Sequence, residues 1–162
     1  TRLQGDWSSD VCSSDLRVLV LATAVTLHEE KFHRLMARYE NDADIFTLAC
    51  PGIVEFVERG IIEGEELTEY LKQLLRDYID NPPDAVVLGC THYPFVRKAI
   101  DSVLGGHAEI FDGGNGTARE TGHQLKLHDL CASPDSSGNV TILNSKPEMI
   151  PISEWLLKLP IE

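Results

Sequence analysis

The sequence predicts an α/β protein in which a parallel sheet is flanked by helices, and three observations carry that expectation. Short, continuously apolar runs recur along the chain, stretches of helical period separate them, and glycine or proline punctuates the junctions. Uninterrupted apolar strands belong to sheets buried on both faces, and parallel strands require crossover connections that helices supply.

The first apolar run, RVLVLAT at 17–23, reads as a strand, and 27–40 follows with helical period. A second strand at 44–49 completes a βαβ unit. Pro51 opens a short helix over 51–60, since proline suits a first helical turn. A longer helix over 63–80 places Leu67, Leu71, Leu74 and Leu75 on one face and stops at Asn81, Pro82 and Pro83. A buried strand at 85–88, a helix over 94–104 and a short strand at 109–111 continue the alternation. After the turn DGGNG come a helix over 117–130, a Ser/Gly/Asp loop at 133–139, a strand at 140–143 and a terminal amphipathic helix.

Residues 1–16, TRLQGDWSSDVCSSDL, stand apart. They repeat Ser-Ser-Asp, carry neither strand nor helix period, and stop where the first apolar run begins. The stretch resembles translated adapter sequence, and we expect a non-native or disordered leader that takes no part in the fold.

At 162 residues and 43% hydrophobic, the chain is long enough to bury one proper core. Its 14 basic and 26 acidic residues give a formal charge of −12. That balance repels phosphate backbones and anionic lipid, so neither a nucleic acid nor a membrane is expected as partner. It does not forbid a small anionic substrate, because a cleft can gather backbone donors against the sign of the whole molecule. With no apolar run approaching the ~20 residues that span a bilayer, and no signal-like segment, a cytoplasmic protein is expected. The four cysteines, Cys12, Cys50, Cys90 and Cys131, form no CxxC pair, and the histidines show no metal spacing. Neither a disulfide framework nor a metal site is therefore expected.

The chemistry concentrates at 88–94, LGCTHYP. In an α/β sheet, ligands gather beyond the carboxyl ends of the strands, which is where this segment leaves the strand at 85–88. Gly89 permits a tight turn, and Pro94 suits the first turn of the following helix. The Cys90 thiol is thereby expected to face helix amides and the positive end of a helix dipole, which favour a thiolate able to act as base or nucleophile. His92 can exchange a proton or hold substrate, and Thr91 offers a hydroxyl and an amide to a carboxylate. An isolated Cys-x-His would more simply be a small buried hydrophobe beside a helix cap.

The longer segment DAVVLGCTHYPFVRKAI resembles the second catalytic cysteine motif of glutamate racemases, in the aspartate/glutamate racemase superfamily. The resemblance extends back to about Arg17. TAVT at 23–26 stands where the family has a Gly-Thr turn followed by a threonine, here with Ala22 in place of the usual glycine, which implies substrate-carboxylate contacts for Thr23 and Thr26. A helix amino cap at Thr26 is the structural alternative. LACPGIVEFVERG at 48–60 resembles a family turn whose acidic position falls on Glu58, near the catalytic cysteine in some members; a solvated helix face is the alternative. The same comparison makes Cys50 a non-catalytic position. DGGNGTARE at 112–120 resembles the turn after which the family's chain returns to its other domain.

What the resemblance implies is a flavodoxin-like second domain at 17–111, followed by a segment at 112–162 that would pack on a first domain. It implies cofactor-independent interconversion of L- and D-glutamate for peptidoglycan, with two cysteines exchanging the α-proton and a homodimeric parent enzyme. Cys90 would be one of those cysteines, with His92 assisting. The family's other cysteine motif is absent from 1–23, so this chain is expected to be a fragment with little activity alone. Two other classes fit the turn: a thiol hydrolase using Cys90 and His92, and a noncatalytic flavodoxin-like binding module.

Overall fold

The computed structural model describes residues 16–133 and 135–160. The leader expected at 1–16 therefore lies outside the described residues, except for Leu16. Four parallel strands form the sheet: β1 Arg17–Ala22, β2 Asp44–Ala49, β3 Ala85–Leu88 and β4 Glu109–Asp112. Their order across the sheet is β2-β1-β3-β4. The strand order reverses at β1, because the chain first steps outward to β2 and then crosses to β3 on the opposite side. A crevice opens at such a reversal, outside the carboxyl ends of β1 and β3.

Strand alternation gives the sheet two apolar faces. Leu19, Leu21, Val86 and Leu88 join the main core with Ile53 and Val57 of α3 (Ile53–Glu58) and Leu67 and Leu71 of α4 (Glu65–Leu74). Ile100 of α6 (Arg97–Val103) closes the same layer. On the other face, Val18, Val20 and Val87 look toward Phe32, Leu35 and Met36 across an apolar cavity of about 460 Å³. An α/β sheet flanked by helices is thus the architecture.

Several elements differ in detail from expectation. The helix expected over 27–40 is two helices, α1 Ala24–His28 and α2 Glu30–Met36, separated by Glu29 in extended backbone (φ −72°, ψ 131°). The helix expected over 63–80 breaks at Leu75 into α4 and α5 (Arg76–Ile79). The segment after Cys90 begins as a 3-10 turn, Tyr93–Val96, before α6.

The strand expected at 140–143 does not form. A strand needs a ladder partner, and among the described residues none pairs with this segment; Val140 and Leu143 are 72% and 88% exposed. Helix α7 begins earlier than expected, at Gly114, and runs to Leu127. Near the end, α8 (Ile150–Leu157) packs Leu156 on the main core and leaves Trp155 and Leu157 exposed. No helix of the described residues is long and apolar enough to cross a membrane.

Candidate active site

Gly89 carries the chain from β3 to Cys90, with its N–H donating to the Leu21 carbonyl at 2.8 Å. Its special requirement is close approach. A Cβ at residue 89 would stand 3.0 Å from that same carbonyl oxygen and 3.2 Å from Ala22 Cβ, so the turn is pressed directly against the end of β1. Three residues after Cys90, Tyr93, fully buried, donates its hydroxyl to the Cys50 carbonyl at 3.2 Å. The Cys90 turn is therefore tied to β1 by backbone and to the end of β2 by a phenol.

Within the turn, Cys90 Sγ lies 4.0 Å from His92 Nδ1, and Thr91 Oγ1 lies 3.5 Å from the same nitrogen. The other ring nitrogen, Nε2, faces Glu58 Oε1 at 3.7 Å. Carboxylate, imidazole and thiol thus stand in a line that brings together the end of α3 and the turn after β3. Cys90 and His92 are half-buried and Glu58 is exposed. A carboxylate on one side of an imidazole holds the ring in place, so that its other nitrogen stays turned toward the sulfur.

Cys90 and Thr91 line a cavity of about 600 Å³. Its opposite wall is the end of β4 and the start of α7, from Asp112 through Gly114 to Thr117. The DGGNG turn was expected to be a plain connection. Instead the Asp112 carboxylate accepts from the Gly114 N–H at 2.7 Å, which starts α7 there and brings Gly113, Gly114 and Thr117 to the cavity. Strand order is the signal that finds these residues: β4 neighbours β3, so the loops following both strands share one end of the sheet. Arg97, at the start of α6, pairs with Asp112 and also donates to the Ile110 carbonyl at 3.0 Å. The Gly114 amide, followed by the Arg97 guanidinium, holds the Asp112 carboxyl below the usual carboxylate range against an opposing desolvation effect.

Thr23 and Thr26 occupy the carboxyl end of β1, the strand beside β3. The cap expected at Thr26 belongs to Thr23: the Thr23 hydroxyl accepts from the Thr26 N–H at 3.2 Å, and the two hydroxyls are 2.9 Å apart. Neither lines the Cys90 cavity, and Thr26 instead borders the apolar cavity on the other face. Glu58 meets His92, so the solvated-face alternative for it is incomplete.

Cys50 shares a strand-end position with Cys90 but not its surroundings. It is 2% exposed, and its thiol donates to the Leu48 carbonyl at 3.4 Å. Burial pushes the thiol up from an ordinary value of 9.0 to about 12, so it stays protonated at neutral pH. At pH 8, native Cys50 is expected to alkylate at least about 100-fold more slowly than exposed Cys131, and to react freely once denatured. Peptide mass spectrometry after iodoacetamide treatment reads both; equal rates would contradict the buried assignment. Among the described residues no group of three His, Cys, Asp or Glu side chains is arranged to hold a metal ion.

No family model matches the chain. A glutamate racemase from Clostridium botulinum is 42% identical over 143 residues, which are 87% of this chain and 55% of that protein. The solved glutamate racemase of Escherichia coli, crystallised with L-glutamate and the activator UDP-MurNAc-Ala, is 30% identical with a TM-score of 0.68 over 85% of this chain and 54% of that one. Over most of its length the chain is similar to one part of the glutamate racemases. Its fold also matches the Francisella tularensis glutamate racemase solved with D-glutamate, at a TM-score of 0.74 and 19% identity, over 95% of this chain and 57% of that one. Like these family members it builds on a parallel sheet flanked by helices, and it spans about half the length of the curated relatives it matches.

Proposed function

We propose that the full-length enzyme interconverts L- and D-glutamate without a cofactor, and that this chain supplies one wall of its active site. The observation that carries the reading is Cys90 at the sheet's topological reversal, opening on a cavity large enough for an amino acid. In this mechanism Cys90 as thiolate removes the substrate α-proton and becomes a thiol. A second cysteine, from the other half of the enzyme, donates its own proton to the opposite face and becomes the thiolate; the reverse direction exchanges the roles. His92, steadied by Glu58, adjusts protonation at Cys90, while Thr91 binds a substrate carboxylate. Thr23 and Thr26 stand outside the Cys90 cavity and would reach a substrate carboxylate only from the neighbouring strand end.

An α-proton is weakly acidic, so the reaction requires preorganised donors and exclusion of water from both sides. One wall does not supply that environment, and this chain alone is proposed to be inactive. The division falls near Phe111, with 112–162 reaching toward the other domain except at α8, whose Leu156 packs on the core of this one. The D-glutamate formed would serve peptidoglycan synthesis in the cytoplasm, and the parent enzyme would be a homodimer.

The test is a chimera joining residues 17–162 to the remaining half of the Clostridium botulinum relative. L-Glutamate should give D-glutamate by chiral chromatography, whereas 17–162 alone should not. A folded chimera without turnover, or turnover by the chain alone, would sink the corresponding part of the reading. The line from Glu58 through His92 to Cys90 also suits thiol hydrolysis. Ester cleavage that disappears in Cys90→Ala would support that second reading.

A further inference from the structure

We propose that Arg97 sets the charge selectivity of the Cys90 cavity, by cancelling the Asp112 carboxylate in its wall so that an anionic substrate is admitted. The inference rests on the proposed reading of this cavity as the seat of an amino-acid dianion or monoanion, and it assigns the residue that makes the wall compatible with one.

Asp112 is the one charged side chain among the described residues that line the cavity. Standing alone beside Cys90, a carboxylate would repel exactly the class of substrate that the reaction uses. Its placement has a structural cause: one oxygen accepts from Gly114 N–H and starts α7, so the charge accompanies the way the wall is built. The other oxygen meets Arg97 Nη2. Arg97 reaches it from the first residue of α6, behind the cavity wall, and its Nη1 is fixed on the Ile110 carbonyl at 3.0 Å.

The pair is only 25% and 14% exposed at the arginine and the aspartate, so water screens it weakly. Arg97 does not line the cavity itself. It acts through Asp112, which makes it a positioning and specificity residue rather than one that touches substrate. The same pair joins the helix that follows Cys90 to the strand that leads into α7, alongside the Arg97 bond to the Ile110 carbonyl.

Charge selectivity can be read on the chain as it exists, as the ratio of alkylation rates at Cys90 with iodoacetate and with iodoacetamide. Peptide mass spectrometry separates Cys90 from the other thiols. Arg97→Met bares the carboxylate and should lower the ratio about fivefold, the effect of a unit charge roughly 8 Å away at an effective dielectric near 40. Asp112→Asn leaves the guanidinium unopposed and should raise the ratio by a similar factor, and the double variant should return close to the parent. Rates that move together for both reagents, or ratios that move the same way in both single variants, overturn the proposal. If circular dichroism finds Arg97→Met unfolded, Asp112→Asn decides alone, and an unchanged ratio there overturns it. Failure of the chimera to racemise would remove the proposed reaction while leaving this ratio untouched, so the two ideas fail separately.

Discussion

Cys90→Ala in the completed chimera is expected to abolish racemisation in both directions, by at least about 10³-fold, while leaving the fold intact. Proton transfer by a positioned group contributes roughly 10²–10⁴-fold, and in a two-base exchange each base is also the acid of the reverse reaction, so one substitution removes both roles. Cys90 is half-buried at a turn where it packs against the margin of the main core, and truncation to alanine removes only one sulfur atom there. A stability measurement on Cys90→Ala should therefore stay within about 1 kcal/mol of the parent. In D₂O, the remaining cysteine should still exchange the α-proton of one glutamate enantiomer without inverting it. Racemisation that survives the substitution would remove Cys90 from the mechanism.

The second large effect is on stability. Leu71→Ala should lower the unfolding free energy by about 2–5 kcal/mol, the range for a fully buried leucine that leaves a partly collapsed cavity. Leu71 is 0% exposed on α4, in the layer that covers the sheet with Leu67, Leu75 and Ile100. An isosteric Leu71→Met should cost less than about 1.5 kcal/mol. Urea titration followed by circular dichroism separates the two. Indistinguishable midpoints for parent and Leu71→Ala would show that the α4 layer contributes little to the cooperative unit.

Much of the fold was legible because the strands are short, continuous and apolar. The limits of β2 and β3 coincide with the expected 44–49 and 85–88, since each is a short apolar-rich run bounded by turn residues, although β2 lies at the sheet edge with Asp44, Phe46 and Thr47 exposed. Residues 140–143 have the same composition yet form no strand, because composition speaks to preference and a ladder depends on a partner. Helix interruptions at Glu29 and Leu75 were equally invisible to periodicity, which reports a face rather than a continuous axis.

At the site, the Cys90 turn was read from its own residues. The approach of Glu58 to His92 was not, because it depends on how α3 and the turn after β3 pack across strands that are not neighbours. Asp112 and Arg97 escaped for a similar reason: a GGNG run viewed alone says turn, and only the place of β4 beside β3 turns it toward the thiol.

The hydroxyl of Tyr93 on the Cys50 carbonyl has a mechanical meaning for the thiol three residues before it. It references the Cys90 sulfur to the hydrophobic interior rather than to the surface, so the thiol can shift only if the core shifts with it.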